Sequence, residues 1–303
     1  MPAPLEVTVA ICTLRRPQIG DALRSLVRQT MFEQGPERAR MRVCVIDNDQ
    51  DDRRRAEIMA MGADLALDLD YVHAPRFNIS LARNAALDAC TTRWLAFMDD
   101  DEIALPDWLA NLVAGRDGHQ AVFGVARAIY PDSGVPRWIA GEDFHSNTID
   151  QQDPPWKGYT CNVLIDMDFA RAHGLRFKEE MGQIGGEDTL FFRDMYKAGG
   201  KLAYAPGAIV EEPTPLSRMT LGWLIKRRFR SGQVHFIVLR QEGNSVKGSA
   251  LAVAKAGLFL LLATLNLPRP PKAARHALRA ALHMGVFASA LGFAPYREYS
   301  APA

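Results

Sequence analysis

Over the first third of the chain, short dense apolar runs alternate with stretches whose apolar positions recur every three to four residues. Val7–Cys12 reads VTVAIC, Met41–Ile46 reads MRVCVI, Leu69–His73 is a weaker run, and Trp94–Met98 reads WLAFM. Runs of this length, rich in β-branched residues, predict buried strands. Between them, Gln18–Gln29 sets Ile19, Ala22, Leu23, Leu26 and Val27 on one helical face behind Pro17, a residue suited to a helix start. Ala56–Met61 is a weaker helical pattern. Ile79–Cys90 groups Leu81, Ala82, Ala85, Ala86 and Ala89, and Pro106–Ala114 restarts a helix.

Strands alternating with helices at this spacing imply right-handed βαβ units and a mainly parallel sheet. Such sheets bind ligands at the carboxyl ends of their strands. Those ends are Thr13-Leu14-Arg15, Asp47-Asn48-Asp49 and Asp99-Asp100-Asp101. The polar clusters therefore fall where the architecture puts a site.

The middle of the chain is less regular. Ala121–Ile129 reads as a strand, Pro131–Pro155 as a loop-rich segment, Asn162–Ile165 as a strand and Met167–His173 as a short helix. Asp188–Ala198 predicts a helix, Lys201–Ala205 a strand, and Leu216–Val234 a long basic helix. No internal repeat is present. Beyond Gly248 the composition shifts. Ala250–Leu267 is almost wholly apolar, broken by Lys255; a Pro268–Pro271 turn follows, then a helical pattern over Ala273–Leu291 carrying Arg275, His276, Arg279 and His283. A membrane span needs about 20 predominantly apolar residues, and Lys255 argues against a full crossing. Two readings stay open: a hairpin that caps the core, and a basic amphipathic hairpin lying in a membrane interface.

Charge sharpens this division. Lys plus Arg is 36 and Asp plus Glu is 35, a net +1 with 48% hydrophobic residues, which argues against a general nucleic-acid binder. From Arg218 onward, however, there are 13 basic and 2 acidic residues. A basic end on an acidic body points to an anionic partner there: phosphate, nucleotide or a membrane surface. The four cysteines, Cys12, Cys44, Cys90 and Cys161, form no CxxC pair; three of the four lie in or beside apolar runs and read as buried thiols, a usage that fits a reducing compartment. Met1–Glu6 has no secretory pattern.

Three consecutive aspartates after an apolar strand repel one another, and a divalent cation is one way to offset that. Hard oxygen ligands select Mg²⁺ or Mn²⁺; a solvated acidic turn is the competing reading. Glu187-Asp188 follows Gly185-Gly186 and opens a helix. Acids there are stabilised by the helix dipole, while the glycines permit close approach of a ligand to a potential general base. Arg227-Arg228-Phe229-Arg230 lies on a helix, either as a solvated basic face or as guanidinium donors to a diphosphate.

Taken in order, Val7–Thr30, Val45–Asp49, SLARN at Ser80–Asn84, Trp94–Asp101 and GGEDTLFFR at Gly185–Arg193 resemble the family 2 glycosyltransferases with the GT-A fold, over about residues 5–240. DNDQ and RRFRSGQ look most like bacterial enzymes that extend exopolysaccharide or lipid-linked oligosaccharide. The resemblance implies an α/β GT-A fold, with a mainly parallel, Rossmann-like central sheet flanked by helices. Its reach sets a GT-A domain at 1–240, followed by a helical extension at 241–303 that stands open between a core cap and a membrane-associating hairpin. It implies inverting transfer from a nucleoside-diphosphate sugar to a hydroxyl of a saccharide or lipid-linked acceptor, with Mg²⁺ or Mn²⁺. The setting it implies is cytoplasmic, at the inner face of the plasma membrane.

Carried over residue by residue, the resemblance sets Thr13 and Arg15 along the nucleotide, Asp47 and Asn48 at the base and ribose, and Arg83 at the ARN arginine. Arg76 is a lesser candidate for diphosphate contact. Asp99 is the donor-side aspartate and Asp101 the metal ligand, with Asp99 beside it. Asp188 is the base, Glu187 orients base or acceptor, and Arg227, Arg228 or Arg230 reach the diphosphate. Asn162 precedes the acceptor region, and Trp156 is placed to stack on a sugar or to pack internally. One departure stands out: where many relatives have a histidine after the late strand, this chain has Ile209-Val210-Glu211-Glu212-Pro213. The chain also lacks the multiple long spans of processive synthases, which favours one sugar per encounter. The rival classes are a nucleotidyltransferase, whose glycine-rich basic loop is missing from CTLRRPQIG, and a non-catalytic sugar-nucleotide sensor, which needs no base.

Overall fold

The computed structural model describes residues 5–30, 40–139, 142–150 and 153–297. Part of the start Met1–Glu6, and four residues of the Pro131–Pro155 loop, lie outside them. The apolar runs form β1 (Glu6–Thr13), β2 (Arg40–Asp47), β3 (Leu69–His73) and β4 (Trp94–Asp99), with α1 (Ile19–Leu26), α2 (Arg55–Asp64) and α3 (Ile79–Ala89) between them. These strands pair in parallel in the order β3-β2-β1-β4. The chain walks outward from β1 to β3 and then returns to the other side of β1, so the crevice between β1 and β4 is the switch point where such sheets bind ligands.

Beyond β4 the sheet is mixed rather than mainly parallel. It continues through β5 (Ile103–Ala104), β6 (Ala121–Ile129), β7 (Asn162–Asp166) and β8 (Leu202–Pro213), flanked by α4 (Trp108–Ala114), α5 (Met167–Ala172) and α6 (Glu187–Lys197). The full order is β3-β2-β1-β4-β7-β6-β8-β5. β7 runs antiparallel to both β4 and β6, and β5 antiparallel to β8. A loop returns the chain from β6 to β7, and antiparallel neighbours need no crossover helix. β8 extends eight residues past the expected Ala205 because a bulge absorbs Ala205–Ala208: pairing stops at Phe123↔Tyr204 and resumes at Val125↔Ile209. Gly124 sits at that bulge, where a Cβ would lie 2.1 Å from the Ala208 carbonyl oxygen.

The long basic helix starts later than expected. Leu216–Arg218 is a 3₁₀ turn, and α7 (Leu221–Gln241) begins after Thr220, whose hydroxyl accepts from Trp223 N at 3.2 Å. α8 (Ser245–Leu265) and α9 (Pro270–Ala290) complete the chain. α7 and α9 cross backbone to backbone. A Cβ on Gly232 would lie 1.9 Å from Leu282 O, and one on Gly285 1.9 Å from Phe229 O. α7 also packs inward, with Val234 and Val238 against Met181 and Leu190. The expected division at 240/241 falls at the end of α7.

Candidate active site

The site forms at the carboxyl edge of the parallel strands. β1 ends on Thr13 and pairs Cys12 with Asp99 of β4, so the β1 loop and the triple aspartate meet. A cavity of about 150 Å³ opens there, lined in part by Thr13, Arg16, Asn48, Arg83, Asp99 and Asp100. Asp100 turns back into the protein, accepting from Thr13 Oγ1 at 2.7 Å and from Arg16 Nη1 at 3.2 Å. Burial pushes it up to about 6 against the pull of Arg16. Asp101 meets Asp100 on the same Arg16 nitrogen, Nη1, with Arg218 Nη2 3.8 Å off. Glu102 is buried. Its Oε2 accepts from Asp99 N at 2.7 Å, its Oε1 has no hydrogen-bond partner among the described residues, and burial beside Asp99 raises its pKa well above the usual carboxylate value.

Arg83 is the hub. α3 places it, and Asn78 caps that helix by accepting from Leu81 N at 3.1 Å. Its guanidinium is 9% exposed, bonds Glu187 Oε1 of α6, and stands 4.0 Å from Asp99 Oδ1. Burial opposes its charge, but Glu187, Asp99 and Asp188 outweigh that and hold its pKa above the ordinary arginine value. Asp99 keeps 44% of its side chain open to the cleft. Desolvation on the cleft floor pushes it up to about 7, with smaller contributions from Asp101, Asp100 and Glu212, while Arg83 pulls the other way.

Gly185 and Gly186, at φ 86° and 84°, turn the chain into α6, and a Cβ on Gly186 would strike Val234 at 2.3 Å. That close approach brings α7 against the helix start carrying the two acids. Glu187 is buried and raised by burial, with Arg83 and Arg230 opposing the shift. Asp188 is half-buried; its Oδ1 accepts from Thr189 N at 2.6 Å, and its Oδ2 carries no hydrogen bond among the described residues.

The remaining expected residues divide. Asn48 lines the cavity but is committed to the fold, donating to Ala74 O at 2.7 Å and accepting from Asn78 N at 2.9 Å. Asp47 accepts from Tyr71 Oη at 2.7 Å and from Asp49 N at 3.0 Å. Arg15, at φ 56°, pairs with Asp49 at 2.6 and 2.7 Å beside the cleft. Arg76 is exposed. Arg227 and Arg230 line a second cavity of about 200 Å³ with Trp223, Lys226 and Tyr296, and Arg230 lies close enough to Glu187 to lower its pKa.

On the acceptor side one expectation needs correcting. Asn162 is fully buried. It accepts from Trp108 Nε1 at 2.8 Å and donates to Val125 O at 3.0 Å and Ala208 O at 2.9 Å, so its amide knits the sheet at the β6–β8 bulge. Trp156, for which stacking on a sugar and internal packing both stood open, is half-buried and packs against the cluster of Met181, Leu190, Val234 and Val238.

Arg16, Asp100, Glu102 and Arg218 belong to the site, yet motif spacing does not single them out. Arg218 donates to Glu212 Oε1 at 2.6 Å, so the acid standing where many relatives have a histidine is paired with an arginine. The surplus of acids after the apolar strand was the available signal that such cations are needed. Among the described residues no three His, Cys, Asp or Glu side chains converge as a metal cage. Magnesium-type sites commonly use one or two carboxylates completed by substrate phosphates. Asp99 and Asp101 fit that pattern, and the raised Asp99 marks negative charge that a cation would relieve.

The model of the Glycosyl transferase family 2 matches residues 8–170. Succinoglycan biosynthesis protein ExoM of Rhizobium meliloti (strain 1021) is 43% identical over 308 residues, covering 98% of this chain and 96% of that protein. Mannosyltransferase PcManGT from Pyrobaculum calidifontis, solved with GDP-Man and Mn²⁺, superposes with a TM-score of 0.60 at 18% identity, covering 92% of this chain and 87% of that one. S. aureus TarS 1-349, solved with UDP-GlcNAc, gives 0.54 at 15% identity, covering 95% and 92%. At these identities the two structures speak to the fold.

Proposed function

The chain belongs to glycosyl transferase family 2, and from that premise we propose that it moves one sugar, with inversion, from a nucleoside-diphosphate sugar to a hydroxyl of a saccharide or lipid-linked acceptor. The observation that carries this reading is Arg83, which ties the acid at the start of α6 to the end of β4 beside the cavity. Family membership displaces the nucleotidyltransferase reading. The likeness to a succinoglycan biosynthesis protein supports exopolysaccharide assembly as the setting. A carrier-linked acceptor would bring the enzyme to the cytoplasmic face of the plasma membrane.

In this reading the nucleotide crosses the ends of β1, β2 and β4. Asp47 and Asn48 bear on base and ribose, and Thr13 and Arg15 border it. Mg²⁺ or Mn²⁺ held by Asp101 with Asp99 supplies Lewis-acid neutralisation of the leaving diphosphate when bound. Arg227 and Arg230 add guanidinium donors on that side. Asp188 takes the acceptor proton on Oδ2, the oxygen left open by its bond to Thr189. Glu187 stays on Arg83 and holds the start of α6, and so Asp188, in register with the cleft.

The test is nucleoside diphosphate release from a panel of nucleotide sugars with Mn²⁺ or EDTA, with and without saccharide acceptors. Acceptor-stimulated release that EDTA suppresses is the expected result. Binding of nucleotide sugars without turnover of any would point to a sensor instead, and full activity in EDTA would remove the metal from the scheme.

A further inference from the structure

α8 is the part of the molecule that the chemistry above leaves unexplained. It is long and apolar enough to cross a membrane, yet only 11% of its most apolar stretch is buried. Ala252 and Ala256 face α9, and Phe259 stacks on His283 at 5.7 Å. Elsewhere its leucines point outward, Leu251, Leu258, Leu261 and Leu265 being 52–66% exposed. Contiguous apolar surface on this scale marks an interaction site rather than ordinary scatter.

We propose that the outward face of α8 is a lipid-docking surface that seats the enzyme in the interface of an anionic leaflet without crossing it. Lys255, which breaks the apolar run in the sequence, is exposed on the flank of the helix, between the buried Ala252–Ala256 side and the leucines, and near enough to His235 of α7 and His283 of α9 to lower their pKa values. From Gly248 to Leu265 it is the one ionisable residue, so the face of Leu258, Leu261 and Leu265 carries no charge of its own. A 21-residue helix is about 31 Å long, which matches the hydrocarbon core. Length therefore does not separate spanning from lying flat, but α9 does. α9 packs against α8 and carries Lys272, Arg275, His276, Arg279 and His283. Arg275 is paired with Glu142 of the sheet domain, and the glycine crossing fastens α9 to α7. Carrying α8 across the bilayer would drag these ionisable groups into hydrocarbon. In the plane of the interface, α8 sinks its leucines while the lysines and arginines stay with the headgroups.

Charge decides the occupant. Residues 245–303 contain seven Lys or Arg and one acid, Glu298. Set face to face, two copies would bring together the cations that flank the uncharged leucine face, whereas anionic headgroups attract those cations. The choice of the cytoplasmic leaflet rests on the proposed lipid-linked acceptor; the choice of lipid over protein does not.

The experiment is flotation of the full chain with vesicles of phosphatidylcholine alone or with 30% phosphatidylglycerol. The expected result is flotation with the anionic vesicles, at least threefold weaker at 1 M salt, where the Debye length falls to about 3 Å. The charge reversal Lys247→Glu/Lys272→Glu should weaken it similarly. Leu258→Glu/Leu261→Glu should abolish flotation while leaving the melting temperature and nucleoside diphosphate release from a soluble acceptor assay unchanged. A chain that stays soluble with both vesicles overturns the proposal, as does one that resists alkaline carbonate extraction, which would mean a span. A dimer that Leu258→Glu/Leu261→Glu dissociates, without flotation of the parent, would assign the face to a second copy. Loss of transfer in the parent chain with flotation intact would count against the enzymatic reading and leave the docking surface standing.

Discussion

The cleft and α8 treat their surfaces in opposite ways. Around the cleft, Asp99, Asp100, Asp101, Glu187 and Glu212 are set against Arg16, Arg83 and Arg218, with distances that leave little room to relax. α8 is held by small residues on one side and leaves its large side chains outside. The cleft is preorganised: its dipoles and charges are in place before a ligand arrives, the condition under which electrostatics lowers a barrier most. α8 is incomplete by itself and depends on its surroundings. Chemistry and location therefore reside in separable parts of one chain, with α7 as the joint, since its Val234 meets Gly186 while its Gly232 meets α9.

The sharpest way to break this separation is at Asp188. Asp188→Asn keeps the shape and the Thr189 contact but removes the base. Transfer should fall by about 10²–10⁴-fold, the scale of acid–base catalysis, with nucleoside diphosphate affinity and vesicle flotation unchanged. Initial rates with calorimetric binding provide the check. Turnover retained within about threefold would reduce Asp188 to a helix-start acid stabilised by the dipole.

Asn162 tests the opposite kind of role. Asn162→Ala leaves Trp108 Nε1 and the Val125 and Ala208 carbonyls without their partner. Each buried unsatisfied group costs about 1–3 kcal/mol, so a stability loss of roughly 3 kcal/mol or more is expected in urea unfolding. KM for acceptor, measured on the folded fraction, should not move. A raised KM with normal stability would return Asn162 to the acceptor site.

This contrast also explains what the sequence made legible. The β1–β4 runs, the helices between them and the clusters at strand ends follow from local periodicity, and the parallel half of the sheet was readable within a residue or so at most boundaries. Local pattern does not specify which strand neighbours which, and β7 inserts between β4 and β6 through contacts distant in sequence. Asn162 was misplaced for the same reason: its three partners come from α4, β6 and β8, and no spacing near residue 162 encodes them. Arg218 was invisible because its approach to Asp101 depends on the 3₁₀ turn that delays α7. Conversely, Lys255 breaks the apolar run in one dimension but sits on the flank of α8, between its buried alanines and its leucines, a placement that a linear count does not show.

Arg218 carries the next largest effect. It neutralises Glu212 and approaches Asp101, so Arg218→Ala strips Glu212 of its partner and leaves Asp101 to Arg16 alone in front of an incoming diphosphate. Hydrogen bonds to charged groups contribute about 1.5–3 kcal/mol, which corresponds to a roughly 10–150-fold loss of nucleoside diphosphate affinity. Arg218→Lys should recover part of it. Titration calorimetry in Mn²⁺ and in EDTA checks both, and an unchanged affinity in both would confine Arg218 to structure.

The smallest effect is one of pH, and the two regions should answer it with opposite sign. In the metal-free protein, burial raises Asp100 to about 6, so the folded cleft binds a proton that the unfolded chain does not hold at that pH; the half-open Asp99 is shifted in the same direction. The contribution of Asp100 to stability therefore improves as pH falls from about 7 towards 5. His145, His235 and His283, all against or within the C-terminal helices, are shifted the other way. Burial lowers each below 6.5. The Arg218 carbonyl opposes that shift at His145 and Glu242 opposes it at His235, while Lys255 reinforces it at His235 and His283. Here the unfolded chain binds the extra protons, so stability is lost as pH falls from 6.5 through the folded-state values. Between pH 7.5 and 5.5, amide exchange corrected for its intrinsic pH dependence should lose protection in α7–α9 and hold or gain it in β1 and β4. His235→Gln/His283→Gln should flatten the first response and leave the second alone. A uniform change along the chain would mean that the sheet and the helices open as one cooperative unit, and that their separation is a matter of surface alone.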